Sequence, residues 1–331
     1  MPSLLSSRRW YAALLLGLSF TAGCTGSADP DPTRDPAASA PTAAAGTGAR
    51  PATDTREQLR VDGSTRTYLL HSPAARDDSP KPLVIAFHGS GEGAAGMRER
   101  TGLDRAAASR SLLIAYPEGL RHAWGAGSVA TGERPDPDAD VRFTEALVQE
   151  LVRTGKADPD RVYAVGFSNG GSMALRMAAQ RPGLLAGAAS VAGQLPTGAA
   201  RVRPTGPVPV MIIHGADDPV RPVGGLPDPG PARAGAAPIT PTMSSLASAQ
   251  AFAAADGARG ASLRSEAGYD RITWRPGPSG ATVQLLVMHG AGHTWPGTSA
   301  TPPAGFGRVS RVLDATGTIL GFFADNHRGT G

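Results

Sequence analysis

Residues 166–170 read Gly-Phe-Ser-Asn-Gly, the Gly-x-Ser-x-Gly pattern in which a serine serves as a nucleophile. With 43 glycines among 331 residues, the pentapeptide alone carries little weight, and its surroundings decide its meaning. It follows an apolar run at 162–165 and opens an Ala-rich stretch at 172–179, the strand–turn–helix setting that a nucleophile elbow requires. Small flanking residues let the backbone turn sharply and lift the Ser168 hydroxyl above a sheet. A serine hydroxyl attacks an acyl carbon only when a base takes its proton and an acid holds that base in one tautomer. Two downstream apolar runs end in loops that carry such groups. Residues 208–213 lead into His214-Gly215-Ala216-Asp217-Asp218-Pro219-Val220, with two adjacent carboxylates. Residues 283–288 lead into His289-Gly290-Ala291-Gly292-His293-Thr294-Trp295-Pro296-Gly297, with two histidines. His293 is the better base, because His289 still continues the apolar run. Asp217 and Asp218 share charge and setting, so either fits as the acid.

The oxyanion that develops on the attacked carbonyl needs backbone donors. Asn169, directly after the serine, offers one. The loop His88-Gly89-Ser90-Gly91, after the apolar run at 83–87, offers another through Ser90. His88 and His214 each precede a glycine at the end of an apolar run and are read as structural. Trp295, two residues past the base, and Trp124 are candidate walls of an acyl or alcohol pocket, against the commoner role of tryptophan in a core. The Gly- and Pro-rich stretch 224–241 is either a cleft border or a surface loop.

These groups need a scaffold, and the chain supplies one. Residues 58–61 and 65–71 flank Asp62-Gly63, a hairpin signal. The apolar runs at 83–87, 112–116, 162–165, 208–213 and 283–288 lack polar alternation, as strands buried on both faces of a parallel sheet do. Helical spacing over 141–152 puts Phe143, Leu147, Leu151 and Val152 on one face, and the stretches 172–179 and 248–255 are Ala-rich. A last helix over 309–326 offers Val312, Ile319, Phe322 and Phe323 to the sheet. Alternating strands and helices imply a doubly wound α/β domain.

Thirty-two basic and 28 acidic residues leave a formal charge of only +4. No basic run is interleaved with aromatics, so no nucleic-acid partner is expected. The single cysteine, Cys24, excludes an intrachain disulfide and a Cys-based metal site, and the chemistry above needs neither metal nor organic cofactor. At the start, Arg8-Arg9 precede an apolar run at 10–20, too short for a spanning helix of about 20 residues. Thr21-Ala22-Gly23-Cys24 resembles the bacterial lipobox, whose cysteine is lipidated. Residues 1–23 are therefore expected to be a signal peptide, with the mature protein held by its lipid on the outer face of the cell membrane. Ordinary cleavage leaving Cys24 free is the alternative, and the paired arginines also fit twin-Arg export. Lipidated Cys24 and an Ala-, Pro- and Thr-rich linker fill 24–56, which as a coil reaches roughly 30 Å. The folded domain is expected over 57–328.

Taken together, these residues resemble the secreted polyhydroxyalkanoate depolymerases and feruloyl or acetylxylan esterases. The resemblance runs from about residue 55 to residue 327. It rests on the ordered motifs 83–91, Tyr116-Pro117-Glu118-Gly119, Trp124, Asp140-Val141-Arg142-Phe143, Asp160-Arg161-Val162-Tyr163, 166–171, 214–222 and 292–297 with its His-Thr-Trp-Pro core. It implies an α/β-hydrolase fold, mostly parallel and doubly wound, with helices on both faces and no large lid. It also implies a triad of Ser168, Asp218 and His293, an oxyanion hole framed by Ser90 and Asn169, and hydrolysis of polyester, feruloyl or acetyl esters through an acyl-enzyme. The family's additional cysteines are missing here. A peptidase on the same fold, or a cell-surface binding lipoprotein that has lost activity, are the alternatives.

Overall fold

A computed structural model describes residues 50–228 and 240–328. Cys24, the leader and most of the expected linker lie outside the described residues, as does the middle of the 224–241 stretch. Ordered backbone begins earlier than the sequence suggested. Arg50 and Ala75 exchange two backbone hydrogen bonds at 2.7 and 3.1 Å, and the first strand, β1, spans Thr53–Val61. Its first residues are polar on both faces, so their composition looks like linker. Backbone pairing with the second strand, β2 (Ser64–Ser72), orders them all the same. Between the two, Asp62 (φ 50°) and Gly63 (φ 78°) make the primed turn whose twist matches a hairpin.

Eight further strands complete one sheet. They are β3 (Lys81–Phe87), β4 (Leu113–Pro117), β5 (Ala157–Phe167), β6 (Gly187–Val191), β7 (Val210–Gly215), β8 (Ala261–Glu266), β9 (Tyr269–Trp274) and β10 (Val283–Met288). The spatial order is β1-β2-β4-β3-β5-β6-β7-β10-β9-β8. The strands from β4 to β10 in that order pair in parallel, while β1, β2, β8 and β9 add antiparallel edges. All five apolar runs are strands of the parallel centre, as burial on two faces demands. The sequence reading missed β6, because Gly-Ala-Ala-Ser-Val has weak strand propensity; pairing with β5 on one side and β7 on the other imposes the extended form. It also missed the hairpin β8–β9, whose exposed, mixed-polarity residues give no core signal.

Helices cover both faces. Alternate residues of β3 show the division, with Leu83, Ile85 and Phe87 packing into one core and Val84 and Ala86 into the other. The first core takes α3 (Ala139–Arg153), α4 (Asn169–Gln180) and α5 (Ser245–Ala255). Along α3, Val141, Phe143, Leu147, Val148 and Leu151 are buried at helical spacing. Removing a side chain such as Phe143 from water contributes about 2–3 kcal/mol. The second core takes α1 (Ala94–Thr101), α2 (Leu103–Ala108) and α6 (Ala315–Ala324). The short, polar α1 and α2 carry no clear periodicity and were not foreseen. The terminal helix starts later than expected, since Asp314 caps it by accepting from the Thr316 amide at 3.1 Å. Val312 therefore stands outside the helix and is exposed rather than packed on the sheet.

Candidate active site

Ser168 occupies the step between β5 and α4 at φ 56°, ψ −118°, a strained conformation for a residue with a side chain. The neighbouring glycines make it possible. A Cβ on Gly166 would stand 2.1 Å from Gly170 O, and one on Gly170 would stand 2.2 Å from Phe87 O and 2.4 Å from His88 O. The start of α4 thus lies directly against the end of β3. The Ser168 amide is tied to Val191 O at the end of β6 (2.8 Å), and the residue is partly open to solvent.

His293 enters from the loop after β10. Its Nε2 lies 2.8 Å from Ser168 Oγ and its Nδ1 lies 2.7 Å from Asp218 Oδ2. An ionised carboxylate only accepts, so Nδ1 carries the proton and Nε2 is free to accept from the serine hydroxyl. The imidazole is held between the rings of Phe167 (4.9 Å) and Phe306 (5.2 Å), and its amide donates to Phe306 O at 2.6 Å. Burial pushes His293 below the ordinary histidine value, and the Asp218 carboxylate opposes this without cancelling it.

Asp218, in the loop after β7, is 4% exposed, whereas the neighbouring Asp217 is exposed. The two acids that the residues alone could not separate are separated by the turn. Asp217 contributes its amide, which donates to Ala291 O (3.0 Å) and joins the acid loop to the histidine loop. Asp218 Oδ1 accepts the amides of Val220 (2.9 Å) and Arg221 (2.7 Å). Burial alone would raise the Asp218 pKa, but its contacts with His214 and His293 outweigh burial and hold it well below the usual carboxylate range. His214 is buried beneath this pair: Nδ1 accepts from Ser245 Oγ (2.8 Å), and Nε2 donates to Arg221 O (2.7 Å) while lying 3.5 Å from Asp218 Oδ2.

On the other side of Ser168 stands the loop after β3. The pairing of Phe87 with Gly166 brings the residues that follow each strand to the same sheet edge. Among the described residues, the amides of Ser90 and Asn169 donate to no protein acceptor; the latter is the first residue of α4, where a helix leaves its N–H groups open. His88 is fully buried and serves the backbone, with Nδ1 donating to Gly89 O (2.7 Å) and Nε2 accepting from the Gly119 amide (2.9 Å). Two residues that the sequence reading did not single out brace this loop. Glu92 accepts from the Gly89 amide (3.2 Å) and pairs with Arg100 (3.0 Å), whose guanidinium lies over the Phe167 ring at 4.4 Å. Both are ordinary surface types in an unremarkable stretch, so no local signal marks them.

Both tryptophans are buried in the cores. Trp124 is 3% exposed, packs edge-on to Phe87, and donates its indole N–H to His88 O (2.9 Å). Its backbone exchanges hydrogen bonds with the Asn169 side chain at 2.7 and 3.1 Å, so it clamps the start of α4. Trp295 is 1% exposed and donates to Thr316 Oγ1 (3.0 Å), anchoring α6. The indoles are enclosed in the cores and their donors are used there, an anchoring role that the sequence reading did not assign them.

Asp54, His71 and Asp104 form a compact group whose ligand atoms could meet one cation. Arg98 already bridges the two carboxylates, and the group shares no residue with the surroundings of Ser168. Among the described residues, no helix is long and apolar enough to cross a membrane.

A family profile described as Phospholipase/Carboxylesterase matches residues 136–225, which include Ser168 and Asp218. A protein of Nocardia uniformis subsp. tsuyamanensis, provisionally named esterase NocK, is 41% identical over 96% of this chain and 98% of its own length. Feruloyl esterase B of Piromyces equi is 29% identical over 43% of this chain and 27% of its own length. Poly(3-hydroxyalkanoate) depolymerase C of Paucimonas lemoignei is 28% identical over 34% of this chain and 28% of its length. Among solved structures, the acetyl xylan esterase of Aspergillus awamori superposes with a TM-score of 0.52 at 16% identity, covering 82% of this chain and 99% of that one, a likeness of fold.

Proposed function

The chain belongs to the esterase family of α/β-hydrolases, and we propose that this carboxylic ester hydrolase works through Ser168, His293 and Asp218 by way of an acyl-enzyme. The observation that carries the reading is the serial contact from Ser168 Oγ to His293 Nε2 (2.8 Å) and from His293 Nδ1 to Asp218 Oδ2 (2.7 Å). Ser168 Oγ attacks the ester carbonyl carbon as its proton passes to His293 Nε2. The buried Asp218 carboxylate stabilises the imidazolium that results. The carbonyl oxygen, now negative, accepts from the amides of Ser90 and Asn169, which donate to no other acceptor among the described residues. Collapse breaks the bond to the alcohol oxygen, which leaves with the proton from His293. Water then gives a proton to His293, attacks the acyl carbon and releases the acid, and Ser168 regains its proton.

Polyester, feruloyl and acetyl esters are the substrate classes proposed, supported by the motifs and by the names of the relatives above. Export and tethering through Cys24 are proposed on the leader sequence. The test compares wild-type protein with Ser168→Ala on feruloyl, acetyl and 3-hydroxybutyrate esters. The substitution should lower kcat by roughly 10⁴–10⁶ and abolish fluorophosphonate labelling while leaving the melting temperature in place. Hydrolysis by Ser168→Ala at the wild-type rate would remove the serine from the mechanism.

A further inference from the structure

Arg221 lies three residues beyond Asp218, yet it is not the counter-ion of that acid. Asp218 Oδ1 takes two backbone amides, and Oδ2 takes His293 Nδ1 and faces His214 Nε2. Three of its roughly four lone-pair sites are thus taken, and no Asp218 oxygen lies within ion-pair reach of the guanidinium. Among the described residues the Arg221 side chain makes no ion pair, and its Nε is buried without a hydrogen-bond partner. Arg66, Arg100 and Arg176, also drawn into the fold, are each matched with a carboxylate, of Asp140, Glu92 and Asp138, and Arg271, which has none, donates to Gln284 and Tyr269 instead. An unmatched, half-buried cation is a costly feature, and a structure that keeps one calls for a ligand that completes it.

Its position says which ligand. Ser168 follows β5, with the Ser90 loop after β3 on one side and the loop after β7, which carries Arg221, on the other. The Arg221 amide donates to Asp218 Oδ1 (2.7 Å) and its carbonyl accepts from His214 Nε2 (2.7 Å), which fixes the residue beside the acid of the triad. Burial pushes its pKa down to about 10, which leaves it charged at neutral pH. Val220, its neighbour in the chain, is 41% exposed and apolar. A planar guanidinium with open donors matches a carboxylate in shape and charge.

We propose that Arg221 determines specificity by binding a carboxylate on the substrate, so that the preferred esters carry a free carboxylate a few bonds from the scissile carbonyl, on the acyl or the alcohol side. The proposal rests on Ser168 as nucleophile and narrows the substrate class of that site.

Two matched pairs test it: p-nitrophenyl hydrogen adipate against p-nitrophenyl hexanoate, and 5-acetoxypentanoate against pentyl acetate followed by pH-stat. In wild-type protein at least one anionic ester should exceed its neutral partner in kcat/KM. Arg221→Met should reduce that ratio roughly tenfold to a hundredfold, and Arg221→Lys should restore part of it. Taking the ratio cancels any change that Arg221 makes to His293 or Asp218. Adipate, and not 1,6-hexanediol, should also slow fluorophosphonate labelling of the wild-type protein, a measurement that needs no variant to fold. Equal rates within both pairs, with adipate and the diol alike in effect, would overturn the proposal. If Ser168→Ala still abolished hydrolysis in that case, the triad would stand and only the role of Arg221 would fall; if it did not, the fault would lie in the nucleophile.

Discussion

The close approach of α4 to the end of β3 is the feature most open to a direct test, through Gly170→Ala. A methyl group there would meet Phe87 O at 2.2 Å and His88 O at 2.4 Å, both backbone atoms that no side-chain rotation can move aside. Carbon–oxygen contacts settle at about 3.3 Å or more, so the start of α4 must retreat from the β3 loop by about 1 Å. That retreat separates the Asn169 amide from the Ser90 amide, the two donors proposed for the oxyanion. Losing one such donor costs roughly 10²–10³ in kcat, and a 1 Å misplacement costs about 10² by itself. The effect should therefore fall on kcat by about two to three orders of magnitude and leave KM little changed, because the oxyanion exists only beyond the ground state. Overpacking of this kind also destabilises by about 1–3 kcal/mol, which lowers Tm by roughly 2–12 °C in a domain of this size. Steady-state hydrolysis of a p-nitrophenyl ester and a thermal melt measure both. A variant with wild-type kcat and wild-type Tm would refute the tight contact and, with it, the pairing of the two amides.

Further outcomes follow from the electrostatics and the buried polar groups. Since burial holds His293 below 6.5, kcat/KM should rise with pH along a limb whose midpoint lies below that value, as the imidazole loses its proton and becomes able to accept. Asp218→Asn removes the opposing carboxylate, so the limb should move further toward acid while kcat falls by about 10⁴; an acid limb centred above neutrality would contradict the assignment. Arg176, fully buried, donates to the carbonyls of Gly125 (2.6 Å), Gly127 (2.7 Å) and Pro137 (2.6 Å). Arg176→Met leaves those acceptors without this donor and should destabilise the protein by roughly 3 kcal/mol or more, read as a lower denaturant midpoint. A midpoint equal to that of the wild type would show that the loop after Trp124 does not depend on this anchor.

Much of the scaffold was readable from local pattern. Uniformly apolar runs became β3, β4, β5, β7 and β10, because a strand covered on both faces cannot carry polar residues in alternation. The Gly-x-Ser-x-Gly turn was readable for a related reason, since only small neighbours tolerate the backbone contacts around Ser168. Elements whose order comes from their neighbours escaped notice: β6 extends because two strands flank it, and the polar start of β1 is extended by its pairing with β2.

Composition and spacing by themselves thus determined the α/β alternation, the strand–turn–helix that presents a serine, and the two loops that hold acids and histidines. Tertiary structure decided the rest. It buried Asp218 against His293 and left Asp217 in solvent, enclosed Trp124 and Trp295 in the cores, and left Arg221 unmatched beside the acid. The reason is one of range. Polarity and turn propensity act over a few residues, whereas the contacts that give these side chains their roles join positions 75 and 125 residues apart, and exist only once the sheet has set its strand order.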